Sequence, residues 1–177
     1  MNLTVSQLKP NPAGRDRGAF GASPAQLAAE WVDVHNSGAT TCDLAGVALH
    51  HRAYVGSSSE WKWAPVIDSS SALTGVLRPG QTLRVHSGRV RPLSVVRAED
   101  ISGAELHAFT GRDAYIWNNA NGDTAGIWHA TREVWIDRAE YVPYPPEGVI
   151  LVRSGALLVP GASLAGLFAI GALGARR

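Results

Sequence analysis

The residues with the clearest potential for chemistry lie in Asn118-Asn-Ala-Asn-Gly-Asp123, within the stretch AYIWNNANGDTAGIW. Its side-chain oxygens suggest a calcium loop, but it lacks the alternating Asp/Asn spacing and the later bidentate Glu that such a loop needs. Only Asp123 carries charge. The segment reads instead as a turn: Asn121-Gly122 supplies positive φ angles for a tight hairpin, and Asn118 and Asn119 bond local backbone groups. Six histidines raise the question of zinc. His50 and His51 are adjacent, and neighbours on a strand point to opposite faces, so the two are poorly placed to share one tetrahedral ion. His35 and His86 meet only if their strands are neighbours. Ser, His and Asp occur without a Gly-x-Ser-x-Gly elbow, so no hydrolase triad is organised. No catalytic residue, cofactor or metal ligand is expected. Cys42 stands alone, which rules out an intrachain disulfide and reads as a small buried side chain.

The elements that would position these groups are mostly strands. Nineteen glycines and ten prolines in 177 residues favour a turn-rich β chain. Sixteen basic against fifteen acidic residues leave a net charge of +1, too little to draw the chain onto nucleic acid. Glu30-Trp-Val-Asp-Val-His-Asn36 alternates, with Val32 and Val34 on one face and Trp31, Asp33 and His35 on the other. Leu3 to Leu8, Leu44 to Leu49, Thr82 to His86, Tyr115 to Trp117, Ala125 to Trp128 and Val134 to Tyr141 are further strands. About seven short strands with turns at roughly ten-residue intervals predict an all-β sandwich. Residues 88–109 form an excursion on its surface, in which Arg89, Arg91 and Arg97 make a solvated basic patch. Trp31, Trp61, Trp63, Trp117, Trp128 and Trp135 are many for this length, and Trp31, Trp117 and Trp135 lie opposite the aliphatic residues of their strands; the rings pack across strands or beneath the Tyr54 to Thr74 loop, or present an aromatic partner surface.

After Tyr141, Pro143, Pro145 and Pro146 predict a stiff linker through residue 155, with Val149 to Val152 as one more strand. Residues 156–175 carry no charge. Pro160-Gly161 divides the run, leaving a helix of about 20 Å, short of the roughly 30 Å hydrocarbon core. Three uses follow: docking on a partner or on other copies within a large assembly such as a phage-like particle, an injection machine or a compartment; anchoring in a membrane; or folding back over the chain's own sandwich. The proline and the short span favour assembly. The expected partner-binding residues are Leu157, Leu158, Val159, Leu164, Leu167, Phe168, Ile170 and Leu173. The first residues lack the basic region and apolar run of a secretory signal, which predicts a cytoplasmic location.

Glu30-Trp-Val-Asp-Val-His-Asn36 followed by Asp43-Leu-Ala-Gly-Val-Ala-Leu49 resembles the opening of the lamin tail domain, in its bacterial, actinobacterial-type form. Leu77-Arg-Pro-Gly80, Leu83 to Gly88, Gly111 to Asn119 and Gly122 to Ala125 continue the similarity. Asp137 and Tyr141 stand where the closing strand of such domains carries an Asp and an aromatic. The resemblance covers residues 1–142 and implies an immunoglobulin-like sandwich acting as a non-catalytic structural or interaction module. Residues 143–155 and 156–177 lie beyond it.

Overall fold

The computed structural model describes residues 1–16, 21–56, 60–68 and 73–161. Its strands are β1 (Leu3–Lys9), β2 (Trp31–Asn36), β3 (Cys42–Asp43), β4 (Val47–Tyr54), β5 (Trp61–Pro65), β6 (Val76–Leu77), β7 (Thr82–His86), β8 (Leu106–Phe109), β9 (Asp123–His129), β10 (Val134–Tyr141), β11 (Leu151–Ser154) and β12 (Leu157–Pro160). Two short helices, α1 (Pro24–Ala28) and α2 (Ala98–Ile101), accompany them. Ten strands form one sheet in the order β5-β4-β9-β10-β12-β11-β1-β2-β7-β8, and β3 pairs with β6. The long sheet curls on itself as an immunoglobulin-like sandwich. Beyond its outer strands, the Asp68 N–H donates to the Thr110 carbonyl at 2.7 Å and draws the two edges together.

Period-two alternation places the core. The registers align Leu8 with Val32 and Val32 with Val85, and likewise Val5 with Val34 and Val34 with Leu83. Each inward residue therefore meets another aliphatic side chain across both neighbouring strands, the unit of packing in a sheet. Leu49, Ile127, Leu151 and Leu158 extend the same core, and Cys42 is buried within it.

The opposite face of β2 departs from simple alternation. Trp31 and Asp33 are buried as well, because the excursion folds over them and contributes α2 and β8, the latter parallel to β7. Ala28, Val96 and Phe109 form a second small core beneath this cover. The excursion is thus a structural layer rather than a surface ornament.

The segment Tyr115 to Trp117 is not a strand. The N–H groups of Ile116 and Trp117 donate to the Glu30 carboxylate at 2.8 and 3.2 Å, so they are taken from any ladder. The asparagine turn consequently joins a loop to β9 and is not a hairpin. Gly122 has a positive φ of 71°, whereas Asn121 does not. A Cβ on Gly122 would lie 2.4 Å from the Tyr141 carbonyl oxygen, which explains the glycine.

The sheet extends past residue 142. The turn through Pro143–Pro146 carries the chain across to β11, which pairs with β1, and β12 then fills the position between β11 and β10.

Candidate interaction site

Four buried acids show where the polar side chains go. Asp123 accepts from the Arg52 and Thr124 N–H groups, each at 2.7 Å, and from the Asn118 N–H and His51 Nδ1 at 3.2 Å. It ties β4, β9 and the asparagine turn together. Asn118 Oδ1 accepts from the Asn121 N–H, closing a local turn, while Asn119 Nδ2 reaches the distant Pro10 carbonyl. The Tyr141 hydroxyl donates to the Asn118 carbonyl at 3.1 Å. Burial pushes this phenol well above its ordinary range.

Glu30 is fully buried and accepts from Ser87 Oγ as well as from the two N–H groups of Ile116 and Trp117. Burial raises its carboxyl to about 8 despite these three donors, with nearby Asp123 adding to the rise. Asp100 accepts from Lys9 Nζ at 2.6 Å and Trp31 Nε1 at 2.8 Å. Asp33 takes a bidentate pair from Arg84, both bonds 2.7 Å. Arg84 also donates to the Asp100 and Ser102 carbonyls and stacks 3.5 Å from the Trp31 ring centre. This guanidinium bolts the excursion to β2 and β7. On β10, Asp137 accepts from Arg153 through both carboxylate oxygens at 2.9 Å and from the Val5 N–H at 2.8 Å, joining β10, β11 and β1.

The histidines are dispersed. β4 sends His51 inward to Asp123 and His50 outward against Trp135. β2 and β7 are neighbours, but the register pairs His35 with Thr82 and His86 with Trp31, leaving His35 and His86 at opposite ends. His86 Nδ1 lies 2.6 Å from the Ala28 carbonyl, and its Nε2 lies 3.0 Å from His107 Nδ1. The first contact requires Nδ1–H on His86, so His86 Nε2 accepts from His107. Burial holds His86 down at about 4, hence neutral. Among the described residues no group of three or more His, Cys, Asp and Glu side chains is placed to hold a metal ion. Arg97 bonds the Ala13 carbonyl and Gln26, and Arg89 pairs with Asp113 at 3.5 Å, so two arginines of the basic patch have local partners.

The tryptophans divide differently from their expected grouping. Trp31 lies under the excursion and Trp117 is in the main core. Trp135 alone of the three belongs to the outer face, where it joins Trp61, Trp63 and Trp128. Ring centres are 4.5 Å apart for Trp63 and Trp135, 5.0 Å for Trp128 and Trp135, and 5.3 Å for Trp61 and Trp63. Gly126 makes room for this cluster, since a Cβ there would lie 2.6 Å from a Trp135 ring carbon. Beside the rings, the Arg52 guanidinium sits 4.8 Å from the Trp61 centre and pairs with Glu140 at 2.9 Å. Trp61, Trp63, Trp135, Arg52 and Glu140 border an open groove of about 560 Å³ on the outer face of β5, β4, β9 and β10. Sequence reasoning missed Trp61 and Trp63 as groove residues. Their signal was the i, i+2 spacing of Trp61-Lys-Trp63, which puts both rings on one strand face.

Of the expected partner-binding residues, Leu157, Leu158 and Val159 lie in β12. Leu158 is only 2% exposed in the core, Val159 is half-buried and Leu157 is 43% exposed. Leu164, Leu167, Phe168, Ile170 and Leu173 fall outside the described residues.

The curled antiparallel-dominated sheet, with its buried acids engaged in holding strands together, defines an immunoglobulin-like domain. The family model described as Lamin Tail Domain matches residues 1–143, and the chain belongs to the lamin tail domain family. No curated protein matches the chain.

Proposed function

We propose that this lamin tail domain is a non-catalytic adaptor: a rigid sandwich that presents its apolar C-terminal segment for docking into a larger protein assembly. The observation that supports this reading is β12. It pairs with β11 on one side and β10 on the other, and buries Leu158 in the core. The uncharged run is therefore held at its root by the sheet, and residues 162–177 leave from a fixed point at Pro160-Gly161. A fixed exit lowers the ordering cost of docking, because the segment's point of attachment is already set. Leu164, Leu167, Phe168, Ile170 and Leu173 then supply the apolar contact, and exposed Leu157 on β12 adds to it.

The test is a chain ending at Gly161, which keeps β12 intact. A cut before Ser154 would remove a core strand and confuse docking with folding. Sedimentation of the full chain as a large protein particle, with the shortened chain monomeric at an unchanged melting temperature, supports the adaptor. Equal monomeric sedimentation of both chains, in extracts as well as purified, overturns it. Recovery of the full chain with membranes after a high-salt wash overturns it in favour of an anchor.

A further inference from the structure

The groove on the outer face of β5, β4, β9 and β10 has no part in that docking scheme. We infer that it is a binding site for a neutral polysaccharide chain. Its aromatic wall is Trp61, Trp63 and Trp135, and its polar wall is Arg52, Glu140 and Arg138. Trp61 has Arg52 against its ring and still keeps 42% of its surface open. A volume of about 560 Å³ lies within the range of small-molecule sites.

The chemistry of the lining selects the occupant. Among the described lining residues Arg52 and Glu140 pair with each other and Asp137 is held by Arg153 from outside the groove, which leaves Arg138 as the one cation without an acidic partner and little net field for an anionic ligand. A phosphate backbone needs a surplus of cations, which this groove does not offer. A strand-forming peptide needs free backbone N–H and C=O groups. Those of β4 and β9 are used in pairing to strands on either side, and a peptide of that kind belongs at the β5 edge rather than on the face. What remains is a ligand with an apolar ring face for the indoles and hydroxyls for the carboxylate and guanidinium groups, and a pyranose has both. Charged side chains form the stronger hydrogen bonds to such hydroxyls.

The experiment is native gel electrophoresis of the full chain through gels containing amylopectin, mannan, xyloglucan or laminarin, with heparin as a charged control. Retardation by at least one neutral polysaccharide and not by heparin is expected. Trp61→Ala should weaken that retardation roughly tenfold, as truncation of an aromatic anchor does. Trp61→Phe should retain most of it, and Arg89→Ala, away from the groove, should change nothing. An unchanged melting temperature for Trp61→Ala confirms that folding is not the cause. Passage of the wild-type chain unretarded through all four neutral gels overturns the proposal, as does equal retardation of Trp61→Ala. Loss of self-association in Trp61→Ala without polysaccharide retardation assigns the groove to a second copy and overturns it too. The groove's described lining runs from Arg52 to Ala156 and is retained in a chain ending at Gly161, so the adaptor reading is tested separately.

Discussion

Replacing Glu30 by Gln changes a few atoms and removes a titratable group from the core, so its effect must depend on pH. In the wild type the carboxyl rises from 4.5 to about 8 through burial. A carboxyl raised in the folded state contributes stability that is complete below its ordinary value and is lost as pH rises through the folded value. At about 1.4 kcal/mol per pH unit, the loss between pH 4 and pH 9 is on the order of 5 kcal/mol. His86 acts in the other direction. Its folded value is depressed to about 4, so its contribution is present above 6.5 and is lost as pH falls towards 4. The two slopes partly hide each other in the wild-type protein alone. The difference between wild type and Glu30→Gln isolates the Glu30 slope.

The geometry sets the value of that difference at low pH. Glu30 Oε2 accepts from Ser87 and Ile116, and Oε1 accepts from the Trp117 N–H. A Gln amide has one oxygen, so one of the two backbone N–H groups would face an NH₂. An unsatisfied buried donor costs about 1–3 kcal/mol. Urea unfolding at pH 5 should therefore find the variant less stable by about that amount. By pH 9 the difference should vanish or reverse, because the wild type then buries a charge and the variant does not. A wild-type minus variant difference that stays constant from pH 5 to pH 9 would refute the reasoning.

Asp100→Ala should destabilise by about 3–5 kcal/mol in urea unfolding, because it strands the buried Lys9 ammonium, whose ion pair it supplies. Lys9→Met in the same background should recover part of the loss, and no recovery would assign the cost to the Trp31 contact instead. Gly126→Ala should cost about 1–3 kcal/mol, since its Cβ overlaps the Trp135 ring. Added to Trp135→Ala it should cost less than it does alone, and strict additivity in thermal unfolding would contradict the packing described for the groove.

The inward half of the fold is legible in the sequence because period two is a local property. Val32 and Val34, Leu83 and Val85, and the run Val134 to Tyr141 all announce strands without reference to any partner. The other face was not legible for the same reason. Trp31, Asp33 and Arg84 alternate as solvated positions would, and nothing local says that residues 88–109 return to cover them. Lys9 finds Asp100 at a separation of 91 residues, and Arg84 finds Asp33 at 51. Tyr115 to Trp117 fails in a related way, since its apolar residues suit a strand but two of its backbone donors serve Glu30. At the candidate site, strand register alone groups Trp31 and Trp117 with Trp135, although both of the former are buried and only Trp135 reaches the open face. Only tertiary structure separates a tryptophan under a covering loop from one on an open sheet.

Four carboxylates and one phenol within the motifs that carry the family resemblance share a property that bears on where a ligand could be held. Glu30, Asp33, Asp123 and Asp137 each accept hydrogen bonds across strand or loop junctions, and Tyr141 holds the asparagine turn. A carboxylate already engaged by two or more donors cannot act on a ligand without loosening the joint it maintains. The two bindings proposed for this chain draw on other residues: the polysaccharide groove on tryptophans that the sheet fixes in place, and the docking segment on a run whose root β12 secures. A substitution such as Trp61→Ala can therefore change one without the other, whereas any change at Glu30 or Asp123 acts on both through the fold.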